Sequence, residues 1–325
     1  MTPHRKSLAL FCVPLLIVST LQAETLTLSK KFVQDNKNRA TIDLKLELDA
    51  HLNTPHKVGA GGDDGDVHMA GRSDQVRLPM VAEIINAGIA DKPVKDSIGL
   101  MKATPDGATI DASGVWRIWF EHPSKGTQIQ GKKVPVPANT NPDHVFEIHP
   151  ITKFGGFDIA DASFVHILGK SKNDSCSYHA YPAAKAFGEY ENQKATISVT
   201  STSVSITAKK VGFNYAEFLL DPVGKSKPGT DGIFVLADVF DVSDPETPMT
   251  SSPRRMVFVS GTKPADALKE LEKNKGGPLH VLGIPRVNLA EVAQVSGTQT
   301  DVPLPYEMIV VAVLADDEAQ FCPSK

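Results

Sequence analysis

Cysteine is scarce in this chain of 325 residues. There are three, Cys12, Cys176 and Cys322, and no two stand in a CxxC spacing, so cysteines alone build no zinc site. Tryptophan is scarcer. Both copies, Trp116 and Trp119, lie in "GVWRIWF", so an indole platform for a ligand has to centre there. Past the N-terminus no apolar run reaches the length of a spanning helix, and "YEMIVVAVLA" near the end is strand-length. Positive charge is not in excess either. Lys and Arg number 34 against 38 Asp and Glu, a formal charge of −4. An acidic chain repels phosphate backbones, which excludes general coating of nucleic acid.

What is present begins with a leader. "MTPHRKSLALFCVPLLIVSTLQA" has a basic start at Arg5 and Lys6, an apolar run from Leu8 to Val18, and a small residue at Ala23. That is the layout of a secretory signal cleaved after Ala23, with residues 1–23 removed. The competing membrane anchor is disfavoured by the short run and by Pro14. Cleavage removes two basic residues and no acid, and lowers the formal charge from −4 to −6. The mature protein is expected to be periplasmic or extracellular. In an oxidising compartment Cys176 and Cys322 are candidates for a disulfide, the alternative being two buried thiols.

Strand patterns dominate, so the fold class reads as all-β with minor helix. In "ATIDLKLELDA", Ile42, Leu44, Leu46 and Leu48 alternate with Asp43, Lys45 and Glu47. "DVHMAG" and "VRLPMVAEII" follow, then a short helix, "PVKDSIGLMKA", with Val94, Ile98 and Met101 as its stripe. "GVWRIWFEHP" and "HVFEIHPITKF" complete the set. The second half repeats this order. "ATISVTSTSVSITAKKVGFNYAEFLL" supplies one bent strand or two, followed by "GIFVLADVFDV" and "RRMVFVSG". A helix from Pro264 with Ala267, Leu268 and Leu271 as its stripe comes next, then two closing strands. Five strands with a helix between the third and fourth describe the OB architecture. The expectation is two tandem OB-like five-stranded β-barrels, over 24–168 and 178–325, joined by a polar linker, 169–177. An immunoglobulin-like sandwich is the alternative for the second, and the helix from Pro264 counts against it.

Period-two alternation puts Asp66 and His68 on one face of their strand, Arg77 and Glu83 on one face of the next, and Glu147 and His149 on one face of another. In an OB barrel those strands are neighbours, so these side chains are expected on one continuous surface, with Asp63 and Asp64 at its edge. Converging carboxylates and imidazoles can hold a divalent cation: calcium, magnesium or manganese on oxygen ligands, zinc or manganese where imidazoles join. Asp64, Asp66 and His68 are the metal candidates. His68, Glu83 and His149 are the acid–base candidates, and Arg77, Trp119, His122 and Glu147 the binding candidates. Trp119 beside Arg117 could stack a ring; a loop covering it is the plainer alternative. "GGDDGD" is also ordinary turn composition, and polar residues on one face are usual in a one-sided sheet. His51, His56 and His144 read as surface or core histidines. In the second half Arg286 and Asn288 are expected to point outward, and Arg254–Arg255 to be solvated on a loop.

"DDGDVH" followed by "RLPMVAEI" resembles the second and third strands of staphylococcal-nuclease-like OB domains. The resemblance covers about twenty-five residues, Asp64, Gly65, Asp66, Arg77 and Leu78 among them. It implies calcium on Asp64 and Asp66 and phosphate on Arg77. The chain departs where that family has acids: Ala82 follows the Arg-Leu step, and Ile84 and Ile85 stand in place of Pro-Glu. The general base is therefore missing. Over more of the domain, "DDGDVH…MVAEI…GVWRIWFEHP…FEIHPI" looks like a group of uncharacterised exported bacterial proteins. That likeness implies a fold and draws His122 into the constellation. Two functional expectations follow. One is an exported binding or interaction protein, not an enzyme, that uses this polar face for an unknown ligand or protein partner. The alternative is a divalent-metal-dependent hydrolase, such as a phosphodiesterase or nuclease, at the same face.

Overall fold

The computed structural model describes residues 23–56, 65–88, 92–123, 126–164, 180–274 and 276–314. The leader up to Gln22, Asp63 and Asp64, the linker 169–177, and Cys176 and Cys322 lie outside the described residues. The first half runs β1 Glu24–Ser29, α1 Lys30–Asn36, β2 Thr41–His51, β3 Val67–Arg72, β4 Met80–Ile84, α2 Lys92–Ala103, β5 Ala108–His122, β6 Thr127–Ile129, β7 His144–Phe154, β8 Phe157–Asp158 and α3 Ala160–Ser163. The second half begins with β9 Tyr181–Pro182, α4 Ala183–Asn192, β10 Lys194–Val199, β11 Ser203–Ala208, β12 Ala216–Pro222, β13 Lys227–Pro228, β14 Gly232–Asp241 and β15 Asp244–Pro248. It ends with β16 Arg254–Val259, α5 Lys263–Asn274, β17 Leu279–Val287, α6 Leu289–Val292, β18 Thr298–Pro303 and β19 Tyr306–Val313.

In the second half β12 pairs β14, β14 pairs β16, β16 pairs β19, β19 pairs β17, and β17 returns to β12. This closes a five-stranded barrel in which only β16–β19 is parallel. The first half follows the same ring of pairings: β2–β3, β3–β4, β4–β7, β7–β5 and β5–β2, with β4–β7 parallel. In each half one helix, α2 or α5, connects the third and fourth strands of the ring. Alternation set the inward residues: Ile42, Leu44, Leu46 and Leu48 of β2 are all buried, as are Val94, Ile98 and Met101 of α2. In α5 the buried stripe is Pro264, Ala265 and Leu268, so the helix is rotated from the expected Ala267–Leu268–Leu271 line.

A third sheet was not foreseen. The long segment expected as one or two strands is three, and the first two, β10 and β11, leave the barrel. They join β1, β6 and β18 in the order β18-β10-β11-β1-β6. This sheet takes strands from both sides of the expected linker. Thr25 and Thr27 of β1 bond across to Thr207 and Ser205 at 2.8 Å each, while Leu26 and Leu28 face the core. Ser29 caps α1, its Oγ accepting from Phe32 N at 3.1 Å. A single apolar cluster extends through both halves, from Leu44, Met69, Ala82 and Phe146 to Phe218, Met256 and Met308.

Candidate functional site

β3, β4, β7 and β5 lie side by side, and their register assembles the expected polar row. His68 stands opposite Glu83, Val81 opposite Glu147, and Glu147 opposite Arg117. His68, Glu83, Glu147 and His149 do meet in this row, and His122 joins it through His144, whose ring stacks on its own at 5.1 Å. The row is not an open surface, because the second half covers it. Arg117, Glu147 and His149 are between 0% and 2% exposed, and Trp119 is 1% exposed, packed edge-on against Tyr190 of α4 at 5.5 Å. Trp119 therefore offers no face to a ligand.

The buried groups satisfy one another. Arg117 pairs with Glu147 through Nη1, donates from Nη2 to Glu121 at 3.0 Å, and donates from Nε to the Pro285 carbonyl at 3.0 Å. The two nitrogens of His144 face only acceptors, the Pro142 carbonyl at 2.6 Å and Glu147 Oε1 at 3.1 Å, so both carry protons. His149 Nδ1 lies 2.7 Å from Glu83 Oε2, and its Nε2 lies 2.7 Å from the Tyr215 hydroxyl across the join between the halves. Burial alone would neutralise these groups, but their partners override it. Glu83 and Glu147 push His149 well above its ordinary value, and Glu147 raises His144. Arg117 and the two imidazoles hold Glu147 well below the usual carboxylate range, and His149 lowers Glu83. His122 goes the other way, because burial lowers it more than Glu121 and Glu147 raise it.

The second barrel carries the counterpart. Arg286 of β17 stands opposite Glu307 of β19, and the two bond at 2.7 Å, both at 0% exposure. Arg286 also donates to the carbonyls of Ala40, Trp116 and Arg39, and its guanidinium lies 3.6 Å over the Trp116 ring. The contacts are reciprocal. Arg117 bonds the residue before Arg286, and Arg286 bonds the residue before Arg117. Arg286 and Asn288 both correct the outward expectation: Arg286 is buried in the join between the halves, and Asn288 is buried as the N-cap of α6, its Oδ1 accepting from Ala290 N and Glu291 N. Arg254 and Arg255 lie on β16, not on a loop, and pair with Glu191 and Glu307.

Arg77 is not part of the polar row. Its φ of 55° makes a left-handed turn after Ser73, and the strand begins only after Pro79, at Met80. It lines instead a groove of about 490 Å³ with Lys45, Arg72, Lys132 and Lys133, against the acids Glu47 and Asp74. Arg72 is fixed by Asp49 at 2.8 Å and Glu47 at 2.6 Å, and Lys45 by Asp111 at 2.8 Å. Arg77 Nη2 donates to the Gly131 carbonyl at 2.6 Å and Gln130 donates to the Val76 carbonyl at 3.0 Å, which ties the lysine-bearing loop to the turn. Sequence reasoning missed this groove because Lys132 and Lys133 lie in the Pro-rich segment, far along the chain from Arg77.

Three groups among the described residues have the spacing to hold a metal ion: His56–Asp66–His68, Glu83–Glu147–His149 and Glu121–His122–Glu147. Asp66 and His68 are brought together as expected, with His56 as the member not foreseen. No protein-family model, curated protein or solved structure matches the chain.

Proposed function

We propose that the chain is an exported binding protein of two OB-like barrels, and that its ligand is a small anion-bearing molecule held in the groove of Arg77, Lys132 and Lys133. The observation that carries this reading is the charge of the groove: five cations face two acids in a chain whose net charge is negative. Three of the cations, Arg77, Lys132 and Lys133, have no carboxylate partner among the described residues, while the walls around them are pinned. Such donors suit a phosphate or carboxylate. The OB-like assignment is supported by the two identical rings of pairings and by the place of α2 and α5. Export is supported by the leader composition. The hydrolase alternative has less support, since the carboxylates and imidazoles of the polar row are engaged by one another and by Arg117.

Pyrophosphate, titrated calorimetrically in metal-free buffer, is the test. The wild type is expected to bind, and Lys132→Ala/Lys133→Ala to bind about tenfold more weakly, equivalent to ~1.4 kcal/mol. Affinity should also fall with added salt. Equal affinity in the double variant sinks the reading.

A further inference from the structure

We propose that His56, Asp66 and His68 bind a divalent transition-metal ion of the zinc class where the β2–β3 connection meets the two strands, a site separate from the anion groove. The backbone builds it. Leu52 N donates to the His68 carbonyl at 3.1 Å and His56 N donates to the Asp66 carbonyl at 2.9 Å, so the two arms stay hydrogen-bonded past the ladder, with two extra residues on the arm that carries His56. Asp66 and His68, two residues apart on extended chain, project to the same side, toward His56 on the opposite arm. One ligand atom from each of the three lies within 4.8 Å of the others.

The chemistry of each group fits. His68 Nδ1 lies 2.9 Å from the Thr140 carbonyl, which only accepts, so Nδ1 carries the proton and Nε2 presents its lone pair. His68 is 7% exposed, and its Nε2 has no hydrogen-bond partner among the described residues. His56 Nδ1 and Asp66 Oδ1 stand 3.0 Å apart, close to the roughly 3.3 Å edge between two ligands of a tetrahedral ion with bonds near 2.0 Å. The His56 and His68 rings meet edge-on, with centroids 4.9 Å apart. Two imidazoles and one carboxylate favour zinc over calcium or magnesium, which prefer all-oxygen sets.

The other two groups are weaker candidates for the same ion. Both depend on Glu147, which is already paired with the fully buried guanidinium of Arg117, a fixed positive charge beside any cation placed there.

The test is a zinc titration of metal-free protein against a chromophoric chelator, with cobalt(II) spectra as a second readout. Wild type should take one zinc per chain and give visible cobalt bands. His56→Ala changes a side chain that is 38% exposed, and Asp66→Asn keeps the shape, so both variants should fold. Each is expected to bind zinc at least about tenfold more weakly, with unchanged circular dichroism. His51→Ala, Glu83→Gln and Lys132→Ala/Lys133→Ala should bind zinc like the wild type, the last whether or not it still binds pyrophosphate. Absence of stoichiometric zinc, wild-type affinity in His56→Ala and Asp66→Asn, or loss of zinc in any of the three control variants overturns the proposal.

Discussion

In the second barrel Glu307 lies between two guanidiniums, Arg286 at 2.7 Å and Arg255 at 2.8 Å. In the first ring Glu147 lies between one guanidinium, Arg117, and two imidazoles, His144 and His149, with Glu83 and Glu121 close by. The pair is the same, at the same place on the fourth and fifth strands of each ring. The surroundings differ in what can change. Arginine stays charged at any pH a protein meets, so the second pair is a fixed fastening. The first is balanced only while its histidines hold protons: three cations then face three carboxylates. As pH rises, the cations of one join between the halves thus stay charged, while two of the three cations of the other lose their protons.

The largest effects come from removing an arginine. Arg286→Met leaves Glu307 with one partner and takes the guanidinium away from three carbonyls, of which that of Arg39 keeps the Trp116 indole N–H, so a loss of about 3–5 kcal/mol is expected in urea unfolding, the range for breaking a buried pair. Arg117→Met should cost less near neutral pH, since His144 and His149 still face Glu147, and more as pH rises and those imidazoles lose protons. Equal costs with equal pH profiles would erase the contrast.

The next effect tests the close approach of the strands. Gly114 and Gly283 each stand three residues before the paired arginine, at a register shift in the ladder. A Cβ on Gly114 would lie 2.5 Å from the Pro150 carbonyl and 2.8 Å from Ile151 Cα, both backbone atoms. On Gly283 the closest atoms belong to the Phe218 ring, at 2.9 Å, and the nearest backbone atom is the Ile309 carbonyl oxygen at 3.3 Å, so the clash with backbone is smaller. Gly114→Ala should therefore cost about 2–3 kcal/mol and Gly283→Ala about 1 kcal/mol, by thermal unfolding.

The pH dependence follows from the first join. His144 and His149 titrate above the ordinary 6.5 in the fold, so their stabilisation is complete below that value and is lost as pH rises through the folded values. Glu83 and Glu147 titrate below 4.5, so theirs is present above 4.5 and fades as pH falls through the folded values. His122, held below 6.5, opposes the histidine trend by destabilising the fold as pH drops under 6.5. Urea midpoints should decline on the alkaline side, and His149→Gln should flatten that decline. The smallest effect is that of Tyr215→Phe, which removes one hydrogen bond to His149 and should cost about 1 kcal/mol.

Much of the fold was legible in the sequence because alternation is a local signal. The four leucine and isoleucine positions of β2 and the apolar stripe of α2 could be read one element at a time. The third sheet could not, because β1 and β11 are paired across nearly two hundred residues and each is short. The polar row was legible as residues but not as surroundings. Sequence alternation tells which side chains share a face, and says nothing of whether another half of the chain will cover it, as Tyr190, Tyr215 and Pro285 do. A repeat was also within reach: "GVWRI" and "GIPRV" share a glycine three residues before the arginine, and "FEI" and "YEM" share the glutamate. Its signal is four or five residues in each half, visible only once the pairing is known. His56 escaped because it lies on the far arm of the hairpin from Asp66 and His68.

The central claim is that the polar row joins the two halves while the ligand sits in the groove of Arg77. Pyrophosphate affinity, measured side by side for Lys132→Ala/Lys133→Ala and for His149→Gln under conditions where both are folded, tests it most directly. The account predicts weakened binding in the lysine variant and wild-type affinity in His149→Gln. Wild-type affinity in the lysine variant with loss of binding in His149→Gln would contradict it.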